Sequence, residues 1–167
     1  MVESDGETSS SEESIGDLLL ERSLSLAVAE SCTGGMISAR ITGVAGSSRY
    51  FMGGVVAYSN EVKGELLSVS PKTLGRFGAV SAETAAEMAQ GVRKGLGAQI
   101  GLSVTGIAGP AGGTVEKPVG TVFISVCDGR SVSTCNIHFA GNRDSVRAKS
   151  AGKAIELLRE FLQTRGG

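Results

Sequence analysis

The stretch LSLAVAESCTGG, residues 24 to 35, decides how this chain is read. An apolar run of strand length passes directly into a carboxylate, a hydroxyl, a thiol, a second hydroxyl and two glycines. A strand-to-helix connection needs only a turn and one capping residue, so the segment carries more polar chemistry than the backbone requires. MISARIT at 36 to 42 then spaces Met36, Ile37 and Ile41 as a helix does, with Gly43 as a natural stop. Strand, polar turn and helix in that order make the α/β unit in which ligands gather at strand carboxyl ends.

The same alternation continues outward. FMGGVVAYS at 51 to 59 reads as a second strand, and Asn60 is the expected N-cap of a helix through EVKGELL that stops before Pro71. Ser81 caps the helix SAETAAEMAQGVRKGL. IGLSVTG, 100 to 106, reads as a buried strand entering a loop with five glycines and two prolines. TVFISVC and SVSTCNIHF flank DGR, a hairpin signal. Asn142 starts a last helix whose Ala151, Ala154, Ile155, Leu158 and Phe161 share one apolar face, and Ser14 is read as capping the first helix, SIGDLLLER. Early strand–helix alternation with a late hairpin predicts an α/β layered fold on a mixed sheet.

A length of 167 residues suits one domain. The net charge of −1 is unevenly spread: residues 1 to 13 hold five acids and no base, leaving the remainder at about +4. That balance is too mild for a duplex binder, and stacking aromatics are scarce at 4 % with no Trp. The acidic tract 1 to 13 is expected to be a disordered tail, with a single domain over 14 to 167. It lacks a signal-peptide pattern, and no apolar run approaches membrane-span length. Cys32, Cys127 and Cys135 are odd in number and lack metal-type spacing, so free thiols, no metal site and a cytoplasmic location are expected.

Standard phosphate loops and the G-x-S-x-G elbow are absent. A Ser–His or Cys–His scheme would have to use His138, the one histidine, which alternation places with Thr134 and Asn136 on a polar strand face. Ser31 is read either as a helix cap or as a nucleophile, with the amides of Cys32, Thr33, Gly34 and Gly35 available to an oxyanion. Lys63, in the first turn of its helix, is a proton acceptor if desolvation and the helix dipole lower its pKa, and an exposed lysine otherwise. Tyr58 donates or relays a proton, or packs. Cys32 is the rival nucleophile or a small buried residue. Glu30 either orients a lysine or the substrate, or forms a structural ion pair. Arg143 and Arg147, four apart, bind phosphate or pair with Asp144 and water.

AESCTGG, GGVVAYSNEVK at 53 to 63, GAVS at 78 to 81, VTGIAGPAGGTVEKPVGTV at 104 to 122 and FAGNRDSVR at 139 to 147 together resemble the CinA C-terminal domain family, the nicotinamide-nucleotide amidases. The resemblance implies a three-layer α/β/α sandwich with a mixed, mostly parallel sheet of about five to six strands. It implies hydrolysis of the carboxamide of nicotinamide mononucleotide, with a serine nucleophile and lysine base at the matching Ser31 and Lys63. Tyr58, Thr105 and Gly106 fall in blocks around the site, and Arg147, Thr105 and the Gly106 to Gly113 loop are candidates for gripping phosphate. The expected partner is a small pyridine nucleotide, with no cofactor, nucleic acid or membrane, and the apolar last helix leaves room for a homo-oligomer such as a dimer. The alternative is a non-catalytic nucleotide-binding or regulatory module on the glycine-rich loops, and a third reading uses Cys32 as the nucleophile. Larger members of the family carry an additional N-terminal domain, whose activity does not carry over to this chain.

Overall fold

The computed structural model describes residues 10–164. Helix α1 spans Ser11–Glu21. Its N-cap is Ser10, whose hydroxyl accepts from the Glu13 amide while the Glu13 carboxylate accepts from the Ser10 amide. This corrects the start placed at Ser14: Glu12 and Glu13, read as tail by their charge, form the first turn, where the positive helix end favours them. Glu12 also pairs with Arg40 at 2.6 Å. The tail reading of residues 1–9 lies outside the described residues.

Five strands follow: β1 (Leu26–Glu30), β2 (Phe51–Val56), β3 (Ile100–Gly106), β4 (Thr121–Cys127) and β5 (Val132–His138), in spatial order β2-β1-β3-β4-β5. β1 pairs in parallel with β2 and β3, whereas β3–β4 and β4–β5 are antiparallel. The expectation of a mostly parallel sheet is therefore corrected to an even division of pairings. The long glycine-rich loop after β3 returns the chain beside it, and the hairpin turn reverses it again, so neither connection is a crossover.

The helices α2 (Met36–Thr42), α3 (Asn60–Leu67), α4 (Pro71–Phe77), α5 (Ala82–Gly95) and α6 (Arg143–Thr164) complete the fold. Period two on β3 assigns them to faces. Ile100, Leu102 and Val104 join Ile15, Leu19, Ile37 and Ile155 in the core beneath α1, α2 and α6. Gly101 and Ser103 face α5 instead: the Ser103 hydroxyl donates to the Ala85 carbonyl at 2.6 Å, and a Cβ at Gly101 would overlap the Ala89 carbonyl. Ala27 and Ala29 lie with Leu67, Met88 and Val92 in the second core on that side. The result is the expected α/β/α arrangement, with short side chains letting α5 approach the sheet.

Boundaries next to the site also differ from the sequence reading. β2 ends at Val56 rather than Ser59, and the N-cap of α3 is Ser59, whose hydroxyl accepts from the Val62 amide, with Asn60 the first helical residue. Pro71, read only as a stop, also opens α4 at its first position, behind the cap Ser70.

Candidate active site

Ser31 is the first residue beyond β1, held at the sheet edge by its amide, which donates to Val104 of β3 at 3.0 Å. Its neighbour Glu30 is fully buried. The Glu30 carboxylate accepts from the amides of Gly35, Ile37 and Ser38, at 2.9 to 3.1 Å, and from the Ser38 hydroxyl at 2.8 Å. Glu30 thus performs the capping that Gly35 cannot, since Gly35 has no side chain and a left-handed φ of 99°. Neither of the two roles considered for Glu30 is the one it has: it completes the start of α2.

Lys63 is the fourth residue of α3, and only 1 % of it is exposed. Its Nζ lies 3.2 Å from Ser31 Oγ and 2.9 Å from the Ala57 carbonyl. Neither partner carries a charge. Burial pulls the Lys63 pKa below its ordinary value, opposed by the nearby Cys32 thiol. The neutral amine can keep one N–H on Ala57 and offer its lone pair to the Ser31 hydroxyl, so the geometry supports proton transfer from oxygen to nitrogen.

The backbone around Ser31 narrows the choice of oxyanion donors. The Gly34 amide donates to the Ser31 carbonyl at 3.1 Å, and the Gly35 amide is held by Glu30. Among the described residues, the Thr33 amide has no acceptor, and the Cys32 amide has only its own thiol. The Thr33 hydroxyl is buried and without a partner as well. Cys32 is buried with its pKa raised to about 11, chiefly by burial and further by Glu30, which leaves it a poor nucleophile.

The remaining candidates surround this centre. The Thr105 hydroxyl donates to the Ala79 carbonyl at 2.7 Å, tying the end of β3 to the loop before α5. Gly106 leaves room for Cys32, whose Sγ would lie 3.1 Å from a Cβ there. Tyr58 is exposed, and its hydroxyl accepts from Arg143 Nη2 at 2.8 Å, while Arg143 Nη1 donates to the Gly109 carbonyl at 2.8 Å. Because β1 lies between β2 and β3, this link from the loop after β2 to the loop after β3 crosses the end of β1, where Ser31 stands 8 % exposed. Arg147 lies behind Ser31 and bonds to the backbone at Cys32 and Thr33. His138 is exposed on β5, three strands from β1 in the sheet order. Among the described residues, surface clefts of 220 to 560 Å³ lie elsewhere, and neither Ser31 nor Lys63 lines these.

Among the described residues there is no group of three or more His, Cys, Asp or Glu arranged to hold a metal, and no helix long and apolar enough to cross a membrane. The Glu30 cap, the Ala57 carbonyl and the Arg143 bridge were not legible in the sequence. Their partners are backbone atoms, or side chains brought together by the fold, which spacing does not encode.

A mixed-sheet α/β/α domain with a buried serine–lysine pair at the carboxyl edge of its parallel strands defines the class. The chain belongs to the CinA C-terminal domain family, whose pattern matches residues 8–162. It is 54 % identical over 148 residues to a CinA-like protein of Geobacter sp. strain M21, covering 89 % of this chain and 36 % of that protein. It is 50 % identical over 154 residues to a CinA-like protein of Thermotoga maritima, covering 92 % and 38 % respectively. The chain thus spans little more than a third of the curated relatives it matches. Among solved structures, a competence-damaged protein (CinA) superfamily protein from Klebsiella pneumoniae superposes with a TM-score of 0.88 at 32 % identity, covering 93 % of this chain and 99 % of that one. The competence/damage inducible protein CihA from Agrobacterium tumefaciens gives 0.85 at 36 %, covering 98 % and 99 %.

Proposed function

We propose that this domain hydrolyses the carboxamide of nicotinamide mononucleotide to nicotinate mononucleotide and ammonia, with Ser31 as nucleophile and Lys63 as general base. The observation that carries the reading is the buried Lys63 amine, 3.2 Å from Ser31 Oγ and without a carboxylate partner among the described residues. A lysine serving only as a structural cation would be expected to have an anion beside it.

In the first step the neutral Lys63 amine takes the Ser31 proton as Oγ bonds to the carboxamide carbon. The carbonyl electron pair moves onto oxygen, and the unengaged amide of Thr33 receives that charge, with the Cys32 amide, held by no residue but its own, beside it. Collapse breaks the C–N bond, and the proton on Lys63 passes to the departing nitrogen, which leaves as ammonia. A water molecule then loses a proton to Lys63 and adds to the ester. The second collapse breaks the C–Oγ bond, the proton returns to Ser31, and a carboxylic acid is released that ionises at neutral pH. The scheme calls for no metal.

The substrate phosphate is assigned to the exposed loops above the strand ends. Arg143, at the mouth and held only by neutral partners, is better placed to meet it than Arg147, whose fork faces the backbone. The test is ammonia release from nicotinamide mononucleotide by the wild type and by Ser31→Ala. Loss of turnover in the variant is expected. Undiminished release would remove Ser31 from its role, and binding without release by the wild type would favour a nucleotide-binding module.

A further inference from the structure

Arg147 projects from α6 toward the turn after β1. Its Nε donates to the Cys32 carbonyl at 3.1 Å and its Nη2 to the Thr33 carbonyl at 3.2 Å. In a trans peptide the carbonyl and the following N–H point in opposite directions. Holding the Cys32 carbonyl toward α6 therefore turns the Thr33 N–H away from α6. Holding the Thr33 carbonyl does the same for the Gly34 N–H, which is already engaged by the Ser31 carbonyl. The Thr33 N–H is the one left without an acceptor among the described residues.

Two neighbouring carbonyls suit the planar fork of an arginine and not the single ammonium of a lysine. Gly34 completes the arrangement: a Cβ there would stand 3.3 Å from Arg147 Nη2, and its φ of +59° is one that side chains rarely adopt. We propose that Arg147 is a positioning residue, fixing the Cys32–Thr33 peptide so that the Thr33 amide is aimed as an oxyanion donor before substrate arrives. The inference rests on the reading of Ser31 as an acyl-transfer nucleophile. It also moves Arg147 from phosphate recognition, where the sequence placed it as a candidate, to the support of the catalytic turn.

The experiment measures acetylation of Ser31 by p-nitrophenyl acetate, followed by p-nitrophenolate release and intact mass, in the wild type, Arg147→Met and Arg147→Lys. This ester has no phosphate, so a phosphate-binding role would leave its rate unchanged. Loss of an oxyanion donor predicts acylation about 100-fold slower in Arg147→Met, with the pH dependence unaltered and partial rescue by added guanidinium ions. With nicotinamide mononucleotide the same variant is expected to lose kcat and keep its KM. If the folded variants acylate as fast as the wild type, the positioning role is overturned while Ser31 stands; if the wild type is not acylated at Ser31, both fall. Should Arg147→Met fail to fold, replacing the Thr33 amide by a backbone ester deletes the N–H alone. That change is expected to reproduce the loss, and undiminished acylation would overturn the proposal.

Discussion

Lys63 Nζ stands 3.2 Å from Ser31 Oγ with the Ala57 carbonyl as its other partner, so the amine is buried against two neutral oxygens. Burial lowers its pKa, and in the proposed mechanism the neutral form is the active one. Activity is therefore expected to rise with pH through that lowered value, below the roughly 10.4 of a free lysine, and then level off. Lys63→Met should remove this limb and about 10² to 10⁴ of the rate. The same group sets a sign for stability. The unfolded chain binds the proton more tightly, so folding gains stability as pH climbs from the folded pKa to the unfolded one, and Lys63→Met loses that gain. Urea unfolding and initial rates across pH check both; a limb persisting in the variant would assign the proton acceptor elsewhere.

Glu30→Gln tests the start of α2. The carboxylate accepts three amides and a hydroxyl from residues 35 to 38, and a carboxamide would turn its own N–H groups toward some of those donors. Replacing charge-assisted bonds in a buried place with opposed donors is expected to cost about 2 to 3 kcal/mol of stability. Denaturant unfolding measures it. A difference under about 0.5 kcal/mol would mean that the helix start does not depend on the charge.

Cys32 offers a negative test of the rival nucleophile. With its pKa at about 11, only about one thiol in 10⁴ is ionised at neutral pH. Cys32→Ala is expected to keep turnover within about threefold and to lose roughly 1 kcal/mol of stability through the small void left beside Gly106. Slow alkylation by iodoacetamide in the wild type should accompany this. Rapid alkylation that abolishes turnover, together with an inactive Cys32→Ala, would transfer the nucleophile to sulfur.

The sequence revealed what depends on local pattern. The apolar run before AESCTGG, the two-residue period of IGLSVTG and the hairpin signal of DGR gave the strands, and the excess of polar residues after the first strand drew attention to Ser31. It concealed what depends on approach between distant segments. Arg147 meets the Cys32 carbonyl across 115 positions, and a backbone oxygen leaves no residue-type signal at its own place. The first turn of α1 was hidden differently, because its acids read as solvated tail until the reciprocal bonds of Ser10 and Glu13 placed them in a cap. Division of the sheet into parallel and antiparallel halves turned on the path of the loop after β3, which composition alone does not determine.

Gly91 shows how far from the chemistry such an approach reaches. In an isolated helix, Gly91→Ala would stabilise by roughly 1 kcal/mol through helix propensity. Here the place of its Cβ is taken by the carbonyl of Leu67, the last residue of α3, the helix that also carries Lys63. Backbone does not yield as a flexible side chain does, so the added methyl must push α3 away from α5. Overpacking of this kind typically costs about 1 to 3 kcal/mol, enough to reverse the propensity gain. The same displacement carries the Lys63 amine off Ser31, and misplacement of about 1 Å can cost as much as 100-fold in rate. Gly91→Ala is therefore expected to lower both the urea midpoint and kcat, although it touches neither Ser31 nor Lys63. A variant that is stabilised and fully active would show that α3 can shift without disturbing the Ser31–Lys63 contact.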